Sequence, residues 1–321
     1  MGNIYGNNVI IIQLCCKGSF LSQCELEIKD NQYNMNSQEE DSVTKNVNFE
    51  ISNFKDLSPV SKILDTSFKE TSIDQSRLQK LEKAIYYAKV LSISIQYTGH
   101  PERTIIINAL GCENSHRVIK DGFTYFGAKK KCSPNGQVIN DVKLPIVGSE
   151  LAHHYRGKYF QISYDVYRDT YYITDLKLGF GTYFKLEDSM ELKNNTLIMV
   201  GETYVLSTFL RQNKELTKIR LKIYGRGIGD VFYFNASDCH ENFITIGRHE
   251  TCDVKLQGSL VSKVHCTIFY TPEKGWVLFD GDMSRIQNST NGTWVYVSEN
   301  TEIFNSMIFK SGRILFKVSI L

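Results

Sequence analysis

No apolar run in this chain approaches the length of a membrane span, which argues against a transmembrane helix. Charge of one sign is also lacking. The formal net charge is +2 over 321 residues, too little for a nucleic-acid reader driven by bulk charge. The eight cysteines (Cys15, Cys16, Cys24, Cys112, Cys132, Cys239, Cys252 and Cys266) include no close CxxC pair. No secretory signal is read ahead of them, so free thiols in a reducing cytoplasm are expected, with no metal and no cofactor. Proline is scarce, at five, whereas Tyr and Phe stand at 18 each. Apolar residues often alternate with polar ones, so β structure should dominate. The length corresponds to about two or three domains.

The chain opens Met1-Gly2-Asn3-Ile4-Tyr5-Gly6. Gly2 is a candidate myristoyl acceptor, but position 6 is Gly where that motif wants Ser or Thr. Cys15-Cys16 offer a second acylation signal, and only the pair of signals would anchor the chain to a membrane. Residues 1–73 are rich in Ser, Asn, Gln and acidic side chains, with few clustered hydrophobics, and are expected to be largely disordered or ordered by a partner. A helix is predicted over 74–89, capped by Asp74 or Ser76, with Leu78, Leu81, Ile85 and Ala88 at helical spacing.

The densest cluster of chemistry lies between Ile244 and Val297. Ile246-Gly247-Arg248 ends an apolar alternation; Val261-Ser262-Lys263-Val264-His265 follows, then Trp276 to Asp280, then Ser289-Thr290-Asn291-Gly292-Thr293-Trp294. Arg248 offers a planar fork that stays charged at any ordinary pH, Lys263 an ammonium, Ser262 and Thr290 hydroxyls, and Asn291 an amide that donates and accepts. Gathered together, these groups suit a phosphate monoester on a peptide.

The order Gly-Arg, Ser-x-x-His, Ser-x-Asn-Gly-Thr across 218–321 resembles the forkhead-associated (FHA) domain, a phosphothreonine-peptide reader. The resemblance implies a β-sandwich of two antiparallel sheets that binds peptide through loops at one end. It implies phosphopeptide contacts from Arg248, Ser262, Lys263, Thr290 and Asn291. Gly247, His265, Gly292 and Thr293 would support the loops, with His265 structural rather than catalytic.

The same signals recur upstream in weakened form. Leu91 to Ile95 aligns with Ile219 to Ile223, Phe126-Gly127-Ala128 with Ile246-Gly247-Arg248, Asn140 to Leu144 with Cys252 to Leu256, and Gly181-Thr182-Tyr183 with Gly292-Thr293-Trp294. This predicts an all-β protein of two FHA-type sandwiches in tandem, a degenerate one over 90–210 and an intact one over 219–321, joined by a linker at 211–218. In the upstream copy Ala128 stands at the arginine position, with Lys129 to Lys131 beyond it. The serine position falls near Glu150 or Leu151, before His153 and His154, and Phe180 stands at the asparagine position.

Rival chemistries fit less well. Ser262, His265 and Asp280 carry the letters of a hydrolase triad, but no G-x-S-x-G elbow surrounds Ser262. His249-x-x-Cys252 and His265-Cys266 match no standard zinc spacing. Gly225, Gly227 and Gly229 resemble a nucleotide loop only by their glycines, since no helix follows. The expected function is therefore a non-enzymatic, cytoplasmic adaptor for phosphothreonine-containing proteins. The alternative is a phosphate-independent structural subunit of a larger, cytoskeletal type of assembly.

Overall fold

The computed structural model describes residues 74–321 apart from 116, 118, 129–137, 146–156, 178–180, 213–214, 226–228, 240–242 and 299. The predictions made for residues 1–73, including acylation at Gly2, Cys15 and Cys16, lie outside the described residues. No helix among the described residues is long and apolar enough to cross a membrane.

Among the described residues there is one α-helix, α1 (Gln75–Ala84), capped by Asp74, whose carboxylate accepts from the Ser76 backbone N–H at 3.0 Å. It is shorter than the predicted 74–89. Tyr86 N donates to the Lys83 carbonyl and Tyr87 N to the Ala84 carbonyl, closing a tight last turn that leaves Ile85 exposed. The run Ile85-Tyr86-Tyr87 is β-branched and aromatic, a poor continuation for a helix. Leu81 and Ala84 are fully buried against the first sheet core.

The chain then forms strands almost throughout. The first group is β1 (Leu91–Gln96), β2 (Arg103–Asn108), β3 (Gly111–Cys112), β4 (Phe123–Gly127), β5 (Val142–Lys143), β6 (Phe160–Asp165), β7 (Thr170–Asp175) and β8 (Thr182–Lys185). Next come β9 (Ser189–Glu191), β10 (Thr196–Val200) and β11 (Thr203–Gln212). The later group is β12 (Glu215–Tyr224), β13 (Val231–Asn235), β14 (Ile244–Gly247), β15 (Val254–Lys255), β16 (Cys266–Thr271), β17 (Gly275–Asp280) and β18 (Trp294–Tyr296). Last are β19 (Thr301–Glu302), β20 (Ile308–Ser311) and β21 (Ile314–Ile320).

An 11-stranded sheet, ordered β13-β12-β11-β10-β18-β8-β20-β21-β1-β2-β3, faces two five-stranded sheets, β15-β14-β16-β17-β9 and β19-β7-β6-β4-β5. A core rich in Phe, including Phe126, Phe160, Phe309 and Phe316, fills the sandwich built on β1 to β8. A second core, with Trp276, Ile198, Ile219, Ile246 and Leu278, fills the one built on β12 to β18.

Strand pairing does not follow the predicted boundaries 90–210 and 219–321. β21 pairs with β1 and β19 with β7, so residues 301–320 complete the upstream sandwich. β11 pairs with β12, β10 with β18 and β9 with β17, so residues 189–212 complete the downstream one. The exchange is reciprocal at matching positions: Phe309 faces Phe184 where Ile198 faces Val295. The turns Gly201 and Gly312 take the same left-handed backbone, with φ 62 and 60. At the centre β8 and β18 pair antiparallel, with Val295 opposite Phe184, so the two halves are related by an approximate two-fold through that pair.

The predicted linker at 211–218 is instead part of a long hairpin, in which β11 and β12 stay paired from Tyr204↔Tyr224 to Gln212↔Glu215. Only two residues separate these ten-residue strands. Closing so short a loop costs little entropy, whereas pairing β11 with β1 would close a loop of about a hundred residues. The local hairpin therefore fixes β11 beside β12 and leaves β1 to be covered by β21.

A third apolar cluster forms on the opposite face of the large sheet where the halves meet: Tyr183, Leu197, Met199 and Leu206, flanked by Tyr204, Tyr224, Trp294 and Tyr296. Lys310 occupies the position that matches Met199, with its ammonium 4.0 Å from the centroid of the Trp294 ring. Burial lowers its pKa to about 8. Lys310→Met is expected to stabilise the protein by about 1 kcal/mol, since desolvation of the charge outweighs the cation–π contact. A lower melting temperature in that variant would reverse the order of the two effects.

Candidate functional site

Three loops meet at one end of the downstream sandwich. The first follows β14. Gly247 is fixed there by close approach: a Cβ on it would come 2.1 Å from the Lys263 carbonyl oxygen. Asp253 holds the strand by accepting from Thr245 N at 2.8 Å and Thr245 Oγ1 at 2.7 Å. Arg248 then emerges exposed, its backbone N–H donating to the Ser262 carbonyl at 3.0 Å, and His249 N donates to the Lys263 carbonyl at 3.1 Å. These bonds set the arginine loop directly against the serine loop.

The serine and asparagine loops are tied by their own polar groups. Thr290 N donates to Ser262 Oγ at 3.1 Å, and the two hydroxyl oxygens lie 3.5 Å apart. Asn291 Nδ2 donates to the Leu260 carbonyl at 2.9 Å, leaving its Oδ1 and second N–H for a ligand. Trp294 Nε1 donates to the Asn291 carbonyl at 3.2 Å. Arg248 and Lys263 form no ion pair with any described residue. Two uncommitted cations, two hydroxyls and an amide thus border one exposed surface.

His265 lies beneath them, fully buried. Ser262 N donates to its Nδ1 at 3.1 Å, and its Nε2 reaches the Gly292 carbonyl at 3.2 Å. Nδ1 must therefore accept and Nε2 donate, which is the neutral imidazole with its proton on Nε2. Burial lowers its pKa, opposed by the Gly292 carbonyl and the Asp280 charge. Buried Asp280 accepts from Thr293 N at 2.8 Å, Thr293 Oγ1 at 2.6 Å and Ser289 Oγ at 2.7 Å, locking both ends of the asparagine loop. Sequence reasoning gave Asp280 no role in the site. Its position at the end of the run Trp276 to Asp280, matched by Asp175 after Tyr171, was the available signal.

The unfolded chain takes up a proton near pH 6.5 while the folded imidazole resists it, so the unfolded state binds more protons below that pH. Stability is fully present above about pH 6.5 and falls as pH drops, by at most ~1.4 kcal/mol per pH unit. Melts between pH 7.5 and 5.5 should show a steeper loss in the wild type than in His265→Gln. Equal slopes would exclude His265 as the cause.

Part of this site's support comes from residues 182–212. Leu186 N donates to the Thr293 carbonyl at 2.9 Å, Asp280 N to the Asp188 carbonyl at 2.9 Å and Leu192 N to the Trp276 carbonyl at 2.8 Å. The Gly201 turn lies under the serine loop, where a Cβ would come 3.0 Å from Val261 Cγ2 and 3.4 Å from Leu260 Cβ.

At the matching end of the upstream sandwich the backbone pattern is the same. Leu144 N donates to Gly127 O and Leu256 N to Gly247 O; Tyr159 N donates to Phe126 O and His265 N to Ile246 O. Tyr125 N donates to Asp141, as Thr245 N does to Asp253. The pairings Phe126↔Phe160 and Ile246↔Cys266 put Tyr159 at the histidine position, beyond His153 and His154, because the connection after Ala128 is longer than its counterpart. The serine position read near Glu150 or Leu151 lies outside the described residues. Ala128 is buried, so no guanidinium stands at the arginine position. Lys129 to Lys131, Glu150, Leu151, His153, His154 and Phe180 lie outside the described residues.

Residues 244–315 match the family model of the FHA domain. No curated protein matches the chain. The matched stretch is similar to the FHA domain, a family of phosphothreonine-binding modules of protein interaction. It omits β9, β10 and β11, which complete this sandwich.

Proposed function

We propose that the chain is a non-enzymatic adaptor that binds phosphothreonine-containing proteins through Arg248, Ser262, Lys263, Thr290 and Asn291. The observation that carries this reading is the convergence of the three loops, with Asn291 tied to Leu260, Thr290 tied to Ser262, and Arg248 and Lys263 left without ion pairs among the described residues. The phosphate takes the guanidinium fork, the ammonium and the hydroxyls. The peptide backbone takes the free groups of the Asn291 amide. Gly247, His265, Gly292 and Thr293 hold the loops and contact no ligand.

The upstream sandwich is read as a second FHA-type unit that has lost the phosphate chemistry. Buried Ala128 and Tyr159 at the arginine and histidine positions support this, as does the shared backbone pattern. On this reading one unit comprises 91–185 with 301–320, and the other 189–212 with 215–296. The upstream unit serves packing or phosphate-independent contact, and the cytoplasm is the expected compartment. The test is a titration of the full chain with a phosphothreonine peptide library beside its unphosphorylated copy. Micromolar binding that disappears on phosphatase treatment is expected, and affinity indifferent to phosphate would leave the structural-subunit reading in its place.

A further inference from the structure

We infer that Lys185, a residue of the upstream half, is a specificity residue of the phosphopeptide site that selects an acidic side chain next to the phosphothreonine. The inference rests on the phosphopeptide reading above and adds the class of peptide.

Lys185 ends β8 and stands opposite Trp294 in the central β8–β18 pair. Its side chain lies flat on Gly292: a Cβ there would come 2.3 Å from Lys185 Cε and 3.2 Å from both Cδ and Cγ. Gly292 has φ +75, is buried and directly follows Asn291, the residue that offers its amide to the peptide. The ammonium, one bond beyond Cε, is thereby delivered to the rim of the asparagine turn. Outside the backbone ladder, the Lys185 ammonium makes no hydrogen bond or ion pair with any described residue. The carboxylates of Glu187 and Asp188 follow it in sequence, but both residues are exposed, and they are engaged through their backbone carbonyls, which accept from Asn288 Nδ2 and Asp280 N.

The stem and the head of this side chain have separable consequences. The stem fills the space that the missing Cβ of Gly292 leaves, and any long unbranched side chain would do the same. The head is a cation, unpaired among the described residues, on a half-buried side chain that lies along Gly292, beside the expected peptide path. The phosphate already engages Arg248 and Lys263, so the Lys185 charge remains for a second anionic group on the ligand. The central β8–β18 pair is what brings this lysine of the upstream half to the downstream site.

The experiment uses the full chain and phosphothreonine peptides that differ only in carrying Asp or Ala at each of the three positions on either side. The readout is the ratio of the two dissociation constants within each variant, so a loss of loop support that weakens both peptides together cancels. In the wild type, Asp at one position should bind about three- to five-fold tighter than Ala, the range of a partly screened ion pair. Lys185→Met, which keeps the stem, should bring the ratio to one. Lys185→Glu should invert it, and raising the salt should shrink it in the wild type alone. The assignment is overturned if the Asp preference persists in Lys185→Met, or if no position shows a preference while phosphate dependence is intact. Loss of phosphate dependence in the wild type overturns the phosphopeptide reading itself, and this assignment with it.

Discussion

Phe316→Ala is expected to open the upstream sandwich and to leave the downstream sandwich closed, although Phe316 lies some two hundred residues downstream of the strand it covers. Phe316 is fully buried and sits opposite Ile95 in the β1–β21 ladder. Its ring stacks on Phe309 at 4.6 Å and meets Phe160 and Phe126 edge-on at 5.2 and 6.0 Å. Truncation to alanine removes the transfer energy of the ring and leaves a cavity among stiff aromatic neighbours, which together cost about 3–5 kcal/mol. In a protein of this size that corresponds to roughly 6–15 °C in melting temperature. Hydrogen exchange locates the damage: protection should fall in β4, β6 and β7, and hold in β14, β16 and β17. The mirror substitution, Ile198→Ala, should do the reverse. Ile198 is upstream of the FHA match, yet it packs in the downstream core and faces Val295. Loss of protection in β14 to β17 from Phe316→Ala would mean that each sandwich is closed by its own last strands.

Much of this architecture was legible in the sequence because it depends on local signals. Alternation marked the strands, Asp74 marked the helix start, and the loop motifs fell at the ends of the strands that carry them. The loops that carry Arg248, Ser262, Lys263, Thr290 and Asn291 are tied to one another, since they join strands whose register is fixed by a buried face. The exchange was not legible. β9–β11 and β19–β21 have matching patterns and would fit either sandwich, so hydrophobic periodicity cannot decide between them. The deciding quantity is the length of the connection between β11 and β12, and the polar character of 211–218 concealed a hairpin behind the composition of a linker. Gly201 was invisible to motif reasoning for the same reason, since it reaches the site with the exchanged strands, and Lys185 because it arrives from the other half through the β8–β18 pair.

Arg248→Ala should weaken phosphothreonine-peptide binding by about 30- to 150-fold, or roughly 2–3 kcal/mol, the largest effect of any single site residue. Phosphothreonine carries about −1.5 to −2 charges near neutral pH, and each charge-assisted hydrogen bond contributes about 1.5–3 kcal/mol. Several such bonds, less the cost of association and of ordering the peptide, leave about −7 to −9 kcal/mol, or micromolar affinity. Arg248 should hold the largest share, because its fork can engage two phosphate oxygens at once. It is also available to do so: its side chain is exposed and makes no ion pair among the described residues, while its backbone is pinned to the Ser262 carbonyl at 3.0 Å. Binding therefore breaks no internal salt bridge. Arg248→Lys should be nearly as weak as Arg248→Ala, because a point charge on a flexible stem does not reproduce the fork. Neither variant should shift the melting temperature appreciably, since an exposed, unpaired side chain contributes little to folding. Asn291→Ala should differ, losing the tie to Leu260 as well as the contact to the peptide backbone. Affinity and melting temperature measured together on the same samples separate these cases. An Arg248→Ala protein that keeps its phosphopeptide affinity, or that loses only thermal stability, would mean that the loops are retained for folding and that the sandwich acts as a structural contact.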